Sequence, residues 1–163
     1  MDMEQDVLDE MERKLCFIAD IVEDDEVECE VYTADAGFEL PTLVIHLPDD
    51  LHDLPRILLM TFVPIPEVGE FTDYIQFYLE FPYDLSDYEE IDLLRAIDGL
   101  NRQLPLGHAS TLVPRKDQLY EKMASLRYMY AISNEQEIDE GNLLETLMLF
   151  LISCDAVEER FMG

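Results

Sequence analysis

Tyr74-Ile75-Gln76-Phe77-Tyr78-Leu79-Glu80-Phe81 is the most sharply patterned stretch of the chain. Ile75, Phe77, Leu79 and Phe81 alternate with Tyr74, Gln76, Tyr78 and Glu80, the period-two signature of a strand with one face in a core. Beyond Pro82 the period lengthens. Ile91, Leu94, Ile97, Leu100 and Leu104 recur at helical spacing, and Pro105 and Gly107 stop the run. Ser86-Asp87-Tyr88-Glu89 fits a capping box, in which the Ser hydroxyl takes an orphan amide and Glu89 reaches back. A strand followed at once by a capped helix is the hinge of the whole reading.

Upstream, residues 3–23 read as an amphipathic helix: Met3, Val7, Leu8, Met11, Leu15, Ile18, Ile21 and Val22 share one side. The acidic run Glu23-Asp24-Asp25-Glu26 ends it, because carboxylates oppose the negative end of the macrodipole. Val27, Cys29, Val31 and Thr33 then alternate with acidic residues as a first strand, and Ala34-Asp35-Ala36-Gly37 supplies a turn. Residues 42–47 and 56–63 read as the next two strands, separated by Pro48-Asp49-Asp50 and closed by Pro64 and Pro66. The short spacings among these four strands predict an antiparallel meander.

Downstream, 108–113 and 126–132 read as strands. The piece 114–124 also permits a helical turn, through Leu119 and Met123. A final helix is expected over about 139–161. No internal repeat or interdomain linker is visible, so residues 1–163 read as one α+β domain. Helices pack on an antiparallel sheet in the order α-β-β-β(-β)-α-β-β-α. The last helix is apolar over an arc of about 220°, whereas a helix lying on one sheet needs little more than about 100°. The surplus implies a second covered side, either a middle layer of the monomer or a contact with a second copy.

Charge narrows the functional classes. The 163 residues hold 38 Asp and Glu against 10 Lys and Arg, a net charge of −28. A nucleic-acid binder needs clustered cations, and docking on an anionic membrane is equally disfavoured, so neither partner is expected. The apolar fraction of 48% is too high for a disordered acidic tail. Residues 93–133 stand apart, with three acidic residues against six basic ones, Arg95, Arg102, Arg115, Lys116, Lys122 and Arg127. This stretch is either where two copies meet without strong repulsion or a set of local ion pairs.

The opening Met1-Asp2-Met3-Glu4-Gln5-Asp6 lacks the basic-then-apolar pattern of a secretory signal. The longest apolar run, 147–152, is far short of a membrane span, so a soluble, cytoplasmic protein is expected.

Catalytic signatures are missing: no glycine-rich phosphate loop, no H-E-x-x-H and no G-x-S-x-G occurs. No enzyme activity and no cofactor is therefore expected. Cys16, Cys29 and Cys154 match neither a redox nor a zinc pair spacing and read as buried, inert thiols. His46 reads as a half-buried strand histidine. His52, within Asp49-Asp50-Leu51-His52-Asp53, is the best candidate metal ligand, though the spacing matches no specific site and no metal is expected.

What remains is surface. Tyr32, Tyr74 and Tyr78 face away from the core side of their strands, and Met129 joins them if the strand registers align. They form either a partner-binding patch or cross-strand pairs that stabilise a sheet. Arg95, Arg102, Leu147, Leu149 and Phe150 are the residues expected at a contact between two copies.

Several features together resemble the YbjN family and the type III secretion chaperone-like fold. They are the small acidic chain, the amphipathic first helix before a run of strands, and Asp92-Leu93-Leu94-Arg95-Ala96-Ile97-Asp98-Gly99-Leu100-Asn101 ahead of Leu104-Pro105-Leu106-Gly107. Two further strands and an apolar last helix complete the likeness. Four strands precede the second helix here, where secretion chaperones usually have three. The resemblance implies a homodimeric, non-enzymatic protein that holds a segment of another protein in an extended or unfolded state. High negative charge would favour basic clients. Two other readings stay open: an acidic decoy that imitates nucleic acid, and a sensory or regulatory ligand-binding domain.

Overall fold

The computed structural model describes residues 5–24, 27–33, 39–47, 56–64, 72–112, 122–133 and 136–162. Along them run α1 (Gln5–Val22), β1 (Glu28–Tyr32), β2 (Thr42–Leu47), β3 (Arg56–Val63), β4 (Thr72–Phe81), α2 (Glu90–Asn101), β5 (His108–Leu112), β6 (Met123–Ser133) and α3 (Glu140–Met162). The strands form one antiparallel sheet in the order β1-β2-β3-β4-β6-β5. Four strands in a meander precede α2, and the α+β class is as the periodicities imply. The expected turn at 34–37, the His52 loop and the ambiguous piece from 114 to 121 lie outside the described residues.

The chain divides into two compact units. The first comprises Met1–Phe77 with Met129–Glu140. Its registers put Cys29 across from Ile45 and Ile45 across from Leu58, and likewise Val31, Leu43 and Met60. These side chains share one sheet face, which α1 covers with Leu15, Ile18, Ala19 and Val22. Tyr130 joins that face from β6, its ring 5.8 Å from Phe77. Lys14 reaches over Phe62 and pairs with Asp73 at 2.6 Å, both side chains largely withdrawn from water. The aliphatic stem of the lysine packs while its charge is matched.

The second unit comprises Tyr78–Tyr128 with Gly141–Gly163. Its core gathers Leu79 and Phe81 of β4, Leu93, Ile97 and Leu100 of α2, Leu126 of β6, and Leu143, Phe150, Cys154 and Val157 of α3. In β6, Met123 to Leu126 are all buried, so both faces of the strand are covered there. Across from them, β5 pairs Ala109 with Leu126 and Ser110 with Ser125, whose hydroxyls are 3.1 Å apart.

Candidate functional site

The outer faces of α2 and α3 depend on how each helix is anchored. Ahead of α2 the expected capping box is not formed. The Ser86 hydroxyl donates instead to Asp84 Oδ1 at 2.6 Å, and its backbone N–H donates to the same atom at 3.0 Å. The local Asx turn wins because Asp84 is two residues away and already extended toward that amide. Glu89 becomes the N-cap, with no side-chain bond. Both Ser86 bonds favour the ionised Asp84 carboxylate and hold its pKa below the ordinary carboxylate value.

The far end of α2 is tied more firmly. The Asn101 side chain donates to Ala109 O at 2.9 Å and accepts from Ala109 N–H at 2.7 Å, replacing a missing peptide neighbour of β5. Five residues after Asn101, the Ser153 hydroxyl of α3 donates to Leu106 O at 2.6 Å and accepts from Leu106 N–H at 3.3 Å. Gly107, between these two clamps, has φ +89°, and a Cβ there would lie 3.2 Å from Arg127 O. One side-chain amide and one hydroxyl thus fix the corner where α2, β5 and α3 meet.

With the corner set, the inward stripe of each helix is determined. On α2 it is Leu93, Ala96, Ile97 and Leu100, which turns Ile91, Leu94, Arg95, Asp98 and Arg102 outward. Ile91 is 59% exposed and Leu94 is 54% exposed. Arg102 and Asp98 form a surface pair at 3.1 Å. On α3, Leu143, Leu147, Phe150, Cys154 and Val157 point inward, and Leu144, Met148 and Ile152 point out. Met148 is 62% exposed.

The expected contact residues are therefore corrected in part. Leu147 is 7% exposed and Phe150 fully buried, because both lie on the stripe that faces the unit's core; neither can reach a second copy. Leu149 is half-buried on a flank, while Arg95 and Arg102 are exposed as expected. An open groove of about 410 Å³ runs beside α2, lined by Asp92, Arg95, Gly99 and Gln103 and by Arg160 from the end of α3. Apart from its chain neighbours and the backbone of its own helix, no atom lies within 4 Å of where a Cβ on Gly99 would stand.

The sheet residues fall as follows. Tyr32, Tyr74 and Met129 stand on the face of the first unit that α1 leaves uncovered, all three half-buried. In register, Tyr32 neighbours Thr42 and Thr42 neighbours Thr61. The Tyr32 hydroxyl donates to Glu30 at 2.9 Å, which raises its pKa. Tyr78 belongs to the second unit, where the Arg127 guanidinium lies 5.3 Å from its ring centre and its hydroxyl donates to Glu80 at 2.8 Å. The Tyr32 and Tyr78 hydroxyls thus each turn to a glutamate two residues away on their own strand.

His46 is exposed, not half-buried, because it shares its register row with Glu28 and the outward Ile57 rather than with the core residues. Cys154 is buried, but Cys29 is intermediate and Cys16 exposed, since α1 turns Leu15 inward and its neighbour outward. Burial pushes the Cys29 thiol up to about 11, with Glu23 and Asp24 adding to it. Burial and then Glu12 and Asp20 raise Cys16 as well. Among the described residues, no three His, Cys, Asp or Glu side chains converge where they could hold a metal ion. Nor, among the described residues, is any helix long and apolar enough to cross a membrane. Beside α1, a small open pocket of about 220 Å³ lies against Arg13, Phe17 and Ile138.

Comparison with protein-family models, with curated proteins and with solved structures finds no match to the chain. The outward triplet Leu144, Met148 and Ile152 was hidden in an apolar arc wider than one packed face needs. The one sequence signal for the inward stripe is Ser153, a small polar residue whose hydroxyl serves a neighbouring backbone.

Proposed function

We propose that this chain is a non-enzymatic, chaperone-like protein-binding module that works as a homodimer and holds a segment of a partner protein. The observation that carries this reading is the exposure of Ile91 and Leu94 on α2 and of Leu144, Met148 and Ile152 on α3, in a chain of net charge −28. Large apolar side chains concentrated on two neighbouring helices mark an interaction surface rather than a solvated one. The element order, with its long closing helix, supports the likeness to the type III secretion chaperone-like fold.

In this reading the two copies meet through α2. Its outer face alternates in sign, Asp92, Arg95, Asp98 and Arg102. An antiparallel copy centred at the level of Ile97 sets Asp92 across from Arg102 twice and brings Arg95 over the bare backbone of Gly99. Such self-complementarity is what a two-fold interface requires. The Arg102–Asp98 pair is no obstacle, because an exposed pair of this kind holds little energy.

Size-exclusion chromatography with light scattering tests the dimer. The expected mass is twice the 19.0 kDa of the chain, falling to one copy in Leu94→Glu. A wild-type monomer at high micromolar concentration overturns it. For the partner, a photo-crosslinking residue at position 148 should trap one recurrent polypeptide in the native host, and consistent failure to trap any removes the holding role.

A further inference from the structure

The outer face of α3 has a chemistry of its own. Between Thr146 and Cys154 the helix carries no charged residue, and successive turns present Leu144, Met148 and Ile152 to water in one row. Exposed carboxylates bound the row, Glu145 beside it and Asp155 and Glu159 beyond it. Glu145 lies 10 positions from Asp155 and 14 from Glu159, or about 15 and about 21 Å along the axis at the helical rise. Leu144 and Ile152 are about 12 Å apart by the same measure. The surface is a short apolar strip with a negative charge near each end.

We propose that this strip receives a basic amphipathic helix: apolar residues at helical spacing on one side, with Lys or Arg flanking them about 15–21 Å apart. The inference rests on the protein-binding reading above and names the class of partner. A second copy is the wrong occupant. Laid parallel it sets Glu145 against Glu145, and laid antiparallel it brings two further acidic helix ends with no exposed base on this face to answer them. An anionic membrane fails for the same reason.

The probe is a synthetic Leu-faced, Lys-flanked helix of about 18 residues, long enough to span the flanking carboxylates at about 27 Å. Its Glu-flanked twin serves as comparison. Binding is read by fluorescence anisotropy against the full chain at low and at high salt. Met148→Glu is the discriminating variant, because it adds a negative charge. If the cationic peptide merely samples an acidic surface, the variant binds it as well or better. If the strip is the site, affinity falls about tenfold or more despite the added charge.

Val7→Glu, an equally conservative change at an exposed apolar position of α1, should leave affinity unchanged. Both variants should keep the wild-type circular dichroism, since both sites face water. Equal effects of the two substitutions, complete loss of binding at high salt, or equal affinity for the Glu-flanked twin would each overturn the proposal. A dimer that Met148→Glu dissolves would overturn it too, by making a second copy the occupant. The α2 dimer is read separately through Leu94→Glu, so either idea can fail without the other.

Discussion

Two glycines at the ends of the Gly99–Gly107 stretch serve opposite ends. Gly107 sits at φ +89° with Arg127 O and Leu126 Cδ1 each 3.2 Å from a would-be Cβ, so Gly107→Ala meets both backbone strain and a clash. It should lower stability by about 1–3 kcal/mol in urea unfolding. Gly99 lies inside α2 with open space above it, and Gly99→Ala should raise stability by about 0.8–1 kcal/mol, the helix-propensity difference alone. Should Gly99→Ala stabilise the chain yet weaken its dimer, the bare backbone is there for the second copy. Asn101→Ala removes both bonds to Ala109 and should cost about 1–3 kcal/mol, because a largely buried amide and carbonyl lose their partner. A change below the error of the measurement would show that water takes over the clamp.

Helices and strands bring the thiols into different states. Cys16 lies on the outward side of α1, Cys29 is half-covered in β1 and Cys154 is enclosed in α3. Alkylation near neutral pH should modify Cys16 first, Cys29 far more slowly and Cys154 only on unfolding. For Cys29 the folded value is raised to about 11, above that of an unfolded thiol. The folded state therefore keeps its proton longer than the unfolded state does. Its contribution to stability is intact below about pH 8.5 and is lost as pH climbs from there toward about 11. Cys29→Ser, measured by thermal unfolding across that window, should flatten the alkaline decline; an identical slope in both proteins would refute it. Asp84 has the opposite sign. Its lowered pKa means that the turn before α2 loses support as pH falls below the ordinary carboxylate range.

For the molecule as a whole, −28 on 163 residues sets a self-repulsion that acts in every unfolding experiment. Salt screens it, with the Debye length shrinking from about 30 Å at 0.01 M to about 3 Å at 1 M. The midpoint of thermal unfolding should therefore rise with sodium chloride over that range. A fall would mean that the few ion pairs, Lys14–Asp73 foremost, outweigh the repulsion.

Much of the architecture was legible in the chain. Alternation at 75–81 and in the three strands before it placed β1 to β4, and helical spacing placed α1, α2 and α3, because burial of one face imposes its own period on the residues. The uncovered side of the tyrosine strands followed from the same parity. Local competition was not legible: Ser86 chose Asp84 over the helix amide, a difference of one bond geometry that no pattern encodes. Nor was the outward side of α3, since an apolar arc of about 220° does not say which part of it is packed and which meets water. Ser153 and Asn101, each gripping backbone many residues away, turn Phe150 and Leu147 inward and leave Met148 to the water. Periodicity records which residues share a face. Which face meets solvent depends on contacts made by distant segments, and those exist only once the chain has folded.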